Sequence, residues 1–169
     1  HALFIDSMLH TTIGLLCGVL YSGAATALEV YNLGAFCSLT LGLASALWAL
    51  RTFGNEKVVF YRESSAGAGM ALSRCAYFIG KVLADLPKIF MLPGYFLLVV
   101  YGFLGLSMHT SPLYTVLLSL AFNATGLGYF LSVVLDAAQA QLATVVLCLV
   151  MHNFGGGVGL TLPDIDRMG

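Results

Sequence analysis

Along this chain long runs of apolar side chains are separated by short polar breaks, and the runs set the elements. Five can be marked out, at about residues 2–21, 31–50, 77–106, 113–135 and 142–160. Each is close to the ~20 residues that a helix rising 1.5 Å per residue needs to cross a ~30 Å hydrocarbon layer. The runs are continuous, whereas a lipid-facing barrel strand shows alternation over ~10 residues, so helices are expected rather than strands. The most informative stretch is Asn55 to Leu106. There a charged amphipathic segment, NEKVVFYRESSAGAG, runs straight into a long apolar one.

Composition agrees with this pattern. Of 169 residues, 59% are hydrophobic and 9% charged, against about 25% charged in a globular domain. The polar surface is too small to face water on all sides, and the chain reads as an all-α, polytopic transmembrane helix bundle. It opens on His1 with no basic leader or clear cleavage site, which predicts a piece of something longer rather than a secreted domain. Six of the seven Lys and Arg (Arg51, Lys57, Arg62, Arg74, Lys81 and Lys88) lie between the second run and the early third. By the positive-inside rule the loop at about 51–74 is cytoplasmic, the N-terminus is inside and the tail from Pro163 is outside.

Several features suggest how the helices meet. Gly34, Ser38, Gly42, Ser45 and Ala49 form a groove of small side chains on the second run, beside a bulkier face of Cys37, Leu41, Ala44 and Trp48. Gly14 and Gly18 have the close-packing spacing on the first. Packing within one bundle is the plainer use of these surfaces, and a dimer or cavity surface the sharper one. The third run is on the order of 45 Å long if helical. Its Lys81, Asp85 and Lys88 recur at helical spacing, so either lysine can neutralise Asp85. Pro87 and Pro93 kink this helix, as a static bend or as a hinge. In the loop, Val58, Val59 and Phe60 sit among Glu56, Lys57, Arg62 and Glu63, a segment too short for an isolated helix and suited to docking on a partner.

Catalytic chemistry is absent from the pattern. Gly67-Ala68-Gly69 and Gly155-Gly156-Gly157 lack the lysine and strand context of a phosphate loop. The four His and four Cys are scattered without metal-ligand spacing, so no metal site is expected. Asn123-Ala124-Thr125 fits a glycosylation pattern but lies inside the fourth run. Asn123, His152 and Asn153 are costly in lipid and should face protein or water. Asp6, Asp85 and Asp136 all fall near predicted cytoplasmic ends, which argues against proton coupling.

Taken together, Glu56-x-x-x-Phe60-x-Arg62-Glu63, Gly67, Tyr77-Phe78-Ile79-Gly80-Lys81, Asp85-Leu86-Pro87, Leu92-Pro93 and Tyr101-Gly102-Phe103-Leu104-Gly105-Leu106 resemble the membrane domain of the ABCG subfamily of ABC transporters, the White and pleiotropic-drug-resistance type. Gly14 to Tyr21 resembles that family's first membrane helix, Asn32 to Phe36 the start of its second, and Gly156-Gly157 the glycine pair closing its fifth. The resemblance implies a type-two ABC exporter membrane domain with five of six helices present. It implies partners as well: a nucleotide-binding domain of the same polypeptide carrying ATP and Mg, a second ABCG membrane domain, membrane lipid and an amphipathic substrate such as a lipid or sterol. It brings no nucleic acid, and points to a multi-pass protein of the plasma membrane or another cell membrane.

Carried over residue by residue, the resemblance puts the substrate cavity at Leu41, Ala44, Trp48, Val150 and Asn153 and the external valve at Val158 and Gly159. It puts coupling to the nucleotide-binding domain at Glu56, Lys57, Phe60, Arg62 and Glu63, while the hinge at Pro87 and Pro93 rests on the prolines themselves. The chain departs from the family in having Ala44 where multidrug members place an aromatic clamp, a reduced valve pair, and no tyrosine in the connection at 67–76, so substrate class does not carry over. The other reading is a membrane scaffold or channel-like subunit without an ATPase. A secondary carrier is disfavoured by the missing mid-membrane acids and the lack of a visible inverted repeat.

Overall fold

The computed structural model describes residues 2–21, 27–54, 73–104 and 110–154, together with Lys57 and Arg62. These form an all-α bundle of α1 (Ala2–Leu20), α2 (Ala27–Gly54), α3 (Arg74–Leu104), α4 (Thr110–Val134) and α5 (Ala137–His152). Asn32–Gly54, Arg74–Phe103 and Thr110–Val134 are long and apolar enough to cross a membrane, while Phe4–Leu20 and Ala137–His152 are shorter apolar helices. Helix bounds differ from the apolar runs where good helix formers are not themselves apolar. Ala137 to Gln141 extends α5 back to the short turn at Leu135 and Asp136 because alanine and glutamine favour helix whatever their hydropathy.

Helix α2 touches all four others. Small residues make this possible, because lipid is as apolar as leucine and only close packing holds apolar helices together. At Gly128 of α4 a Cβ would lie 2.5 Å from the Ala46 carbonyl oxygen and 2.7 Å from the Ala49 Cβ, so the two backbones meet where only glycine fits. One turn and more towards the other end, Gly42 faces Leu120 at ordinary contact distance. The small-residue groove of α2 is therefore filled at these positions by α4 of the same chain, and Gly34 meets nothing within 4 Å. On α1, Gly14 lies against Val99 and the Phe96 carbonyl, and a Cβ on Gly18 would come within 2.6 Å of the Phe103 Cβ.

These contacts also set direction. Partner numbers rise together in the pairs α1–α3 and α2–α4, so each pair runs parallel. They fall between α2 and α3, where Thr52 meets Asp85 and Phe53 meets Tyr77. The first four helices thus pass up, down, up and down. Apolar layers fill the space between them. One layer joins Cys17, Leu33, Cys37, Leu41, Phe96 and Leu117. A second, nearer the 51–74 loop, joins Trp48, Phe53, Ile89, Leu92 and Tyr129, and a third seats α5 through Leu50, Leu131 and Ala140. The outer surface is apolar too, with Ile5, Leu16, Leu98, Phe130 and Leu142 exposed. That inversion suits a bilayer and no aqueous surroundings.

Helix α3 continues through both prolines. Pro93 is fully buried and Pro87 exposed. Pro93 leaves the Ile89 carbonyl without its usual amide. At the next carbonyl, Phe90, the Tyr114 hydroxyl of α4 donates at 2.9 Å, so a neighbouring helix supplies a donor where the ladder is disturbed.

Gly128→Ala is expected to lower stability by about 1–3 kcal/mol, because α2 must move away from α4. Gly126→Ala, with nothing within 4 Å, should change it by less than about 0.5 kcal/mol. Thermal unfolding of the two variants in detergent checks the contrast.

Candidate functional site

The up-and-down path brings the start of α1, the end of α2, the first half of α3 and the end of α4 to one end of the bundle, the end next to the basic loop. There the charged residues of the apolar helices converge. Asp6 and Asp85 are both buried. Lys88 stands between them, its Nζ 3.7 Å from Asp6 Oδ2 and 4.0 Å from Asp85 Oδ1. The same ammonium lies 5.2 Å from the centre of the Trp48 ring, near enough for the ring face to attract it. Asp85 Oδ2 accepts from the Thr52 hydroxyl at 2.8 Å and from the Tyr129 hydroxyl at 2.9 Å. One carboxylate thus ties three helices together.

Around this centre the contacts weaken outward. Arg51 Nη1 is 3.7 Å from Asp6 Oδ1, but its side chain is more than half exposed, so that pair adds little. His10, fully buried, donates through Nδ1 to the Asp6 carbonyl at 2.7 Å. Its Nε2 and Asp6 Oδ1 have no hydrogen-bond partner. Two acids facing two bases leave the node near neutrality, which is what makes four charges tolerable at this depth. What it can do is hold four helices in one arrangement and release them together if its pairs part.

Sequence reasoning offered Lys81 or Lys88 as a partner for Asp85, and the structure places Lys88 there. Lys81 Nζ lies 5.9 Å from the centre of the Tyr77 ring. Asp6, Thr52, Trp48 and Tyr129 were missed as members of one site. A signal for them existed: in an up-and-down bundle, polar residues near the start of odd helices and the end of even ones share a level.

The expected cavity residues do not form one surface. Leu41 is 0% exposed in the apolar layer with Phe96 and Leu117, and Ala44 and Trp48 are also buried. Val150, 45% exposed, and Asn153 lie on the outside of the bundle around the end of α5. Asn153 Nδ2 donates to the Leu149 carbonyl of its own helix at 2.8 Å. Asn123, expected to face protein or water, is exposed on the bundle surface and donates through Nδ2 to the Ser119 carbonyl one turn back. Of the coupling residues, Lys57 is partly buried and Arg62 exposed, while Glu56, Phe60 and Glu63 lie outside the described residues. So do Val158 and Gly159 of the expected valve.

Comparison with known proteins places the chain among its relatives. The ABC-2 type transporter family matches residues 1–155. The chain is 31% identical to ABC transporter G family member 28 of Arabidopsis thaliana over 113 residues, 67% of this chain and 10% of that protein. It is 30% identical to G family member 21 of the same plant over 151 residues, 86% of this chain and 22% of that protein. To G family member 25 of Oryza sativa subsp. japonica it is 28% identical over 129 residues, 76% of this chain and 12% of that protein. The chain thus spans between a tenth and about a fifth of the length of these relatives.

Tyr129→Phe removes one donor from Asp85 and is expected to lower stability by about 1 kcal/mol. Asp85→Ala strands Thr52, Tyr129 and half of the Lys88 pairing, and should lower it by about 3 kcal/mol. Thermal unfolding in detergent reads both. Equal, small shifts would mean that the node does not brace the helices.

Proposed function

The chain belongs to the ABC-2 type transporter family, and from that premise we propose that it forms the translocation path of an ABCG-type exporter together with a second membrane domain. The observation that carries the proposal is the family match over residues 1–155 of a bundle whose buried charges gather at the end next to its basic loop. In this reading the chain is the membrane part of a longer polypeptide whose nucleotide-binding domain binds ATP and Mg. Glu56, Lys57, Phe60, Arg62 and Glu63 lean on that domain. A push on the loop reaches the node directly, because Arg51 and Thr52, at the end of α2 where the loop begins, contact Asp6 and Asp85. Pro87 flanks the node at Lys88 and Pro93 lies a turn and a half further on, where a helix lacking two amide donors bends most easily.

The substrate surface is assigned to Val150 and Asn153, which already face outward beside exposed Val146 and Leu149. An apolar helix face with one carboxamide suits an amphipathic compound such as a lipid or sterol. Leu41, Ala44 and Trp48 act from behind this surface: they hold α2 in the core, and α2 in turn seats α5 through Leu50. Val158 and Gly159 remain the external valve. The exposed polar line Thr115, Ser119 and Asn123 on α4, unusual against lipid, is accounted for if a second membrane domain or a water-filled path covers it.

Vanadate-sensitive ATPase of the full-length protein in lipid vesicles, screened against sterols, phospholipids and amphipathic drugs, tests the reading. Stimulation by one class, about twofold or more, is expected, since substrate and hydrolysis are linked through one conformational change. Glu56→Ala with Arg62→Ala should abolish the stimulation at unchanged expression. Val150→Trp should obstruct transport while assembly stays normal. No ATPase in a well-folded sample would turn the reading to a scaffold or channel-like subunit.

A further inference from the structure

At the loop end of the bundle, α2, α3 and α4 line an open-sided cavity of about 190 Å³. This is far more than the ~10–15 Å³ that one water requires. Its floor is Phe53, which stacks on Phe78 at 5.4 Å with the rings 10° from parallel, and Val133 forms the α4 wall. Phe78 and Val133 are each about half exposed, so the cavity opens sideways to the surroundings of the helices. Its surface is almost wholly apolar, and Lys57, Arg74, Tyr77 and Ser132 line it beside the apolar side chains. No acidic side chain lines it among the described residues. Asp85, which also contacts Tyr129, directs its carboxylate to Thr52, Tyr129 and Lys88 instead.

We propose that this cavity holds an anionic phospholipid, with the upper part of one acyl chain between Phe53, Phe78 and Val133 and the phosphate at Lys57 and Arg74. Three observations select that occupant. The slot is apolar and opens to the side, which excludes a small hydrophilic anion as sole ligand. The lining carries two positive charges, which distinguishes an anionic headgroup from a zwitterionic one. The site lies where the basic loop leaves the helices, the level of headgroups on the cytoplasmic side in the proposed orientation, where anionic lipids are concentrated. A lipid seated there touches Lys57 in the loop, Phe53 at the end of α2 and Arg74 at the start of α3. It therefore ties the loop to the helices that the charge node joins one layer deeper.

The test is native mass spectrometry of the full-length protein taken from vesicles of equimolar phosphatidylcholine and phosphatidylserine. About tenfold enrichment of phosphatidylserine on the protein is expected, the scale that two basic side chains near an anionic headgroup produce. Lys57→Ala with Arg74→Ala should retain lipid but lose the preference, and the charge-preserving Lys57→Arg with Arg74→Lys should keep it. Val133→Trp, which fills the slot and leaves both charges, should lose the bound lipid while the protein remains monodisperse. Equal retention of both lipids by the unaltered protein, an unchanged preference in the double alanine variant, or displacement of the lipid by inorganic phosphate would each overturn the proposal. Substrate-stimulated ATPase measured on the same preparation separates this result from the exporter reading, since that activity can be present with or without a bound lipid.

Discussion

Close approach of backbones along α2 is the constraint on which the rest of this structure depends. In water, a helix with an apolar stripe is driven onto its neighbours by solvent. In lipid that drive is missing, and contact must come from surfaces that fit. Ala46, Ala49 and Gly128 supply the tightest fit, with the carbonyl of one helix lying where a side chain of the other would be. Once α4 is seated on α2, the Trp48, Phe53 and Tyr129 rings come into edge-on contact at centroid distances of 5.2 to 6.5 Å. Tyr129 is thereby held with its hydroxyl on Asp85. Packing of small residues in one layer thus sets the geometry of a hydrogen bond in the next.

The charge node is a different kind of contact. Its members would be expensive in lipid individually, and they become acceptable only as a set: Lys88 needs both acids, and Asp85 needs two hydroxyls as well as the ammonium. Such a set is all-or-none in character, since parting one pair leaves a buried charge poorly satisfied and weakens the remainder. A bundle held by shape alone yields gradually. One held at its driven end by an interdependent cluster has a reason to move between discrete arrangements, which is what a transporter must do.

The architecture was legible in the sequence, and the reason is physical: the period of a membrane helix and the thickness of a bilayer leave few other ways to arrange these apolar runs. The Gly14 and Gly18 pair and the Gly42 to Ala49 groove were also legible, because absence of a side chain is a local property. Which partner filled the groove was not. Gly128 looks like one of many glycines until α4 is laid on α2, and Asp6 and Lys88 belong together only through the direction in which α1 and α3 run. Leu41 and Trp48 were expected at a cavity because the family resemblance carries cavity positions onto the second helix. Their face of α2 is buried among the other helices, since α2 is the hub and has little surface left for anything else.

The parallel pairing of α2 with α4 has a consequence for how the protein is made. Ala49 leaves the ribosome about 80 residues before Gly128, an interval on the order of 4–16 s at ordinary rates of synthesis. Throughout it, the notch on α2 has no partner of its own. During biogenesis that notch is occupied by lipid, by the insertion machinery or by a neighbouring helix, and α4 must displace the occupant on arrival. The narrowest contact in the finished bundle is consequently also among the last of the α1 to α4 contacts that can form, and a step at which a mistimed chain would be caught by quality control.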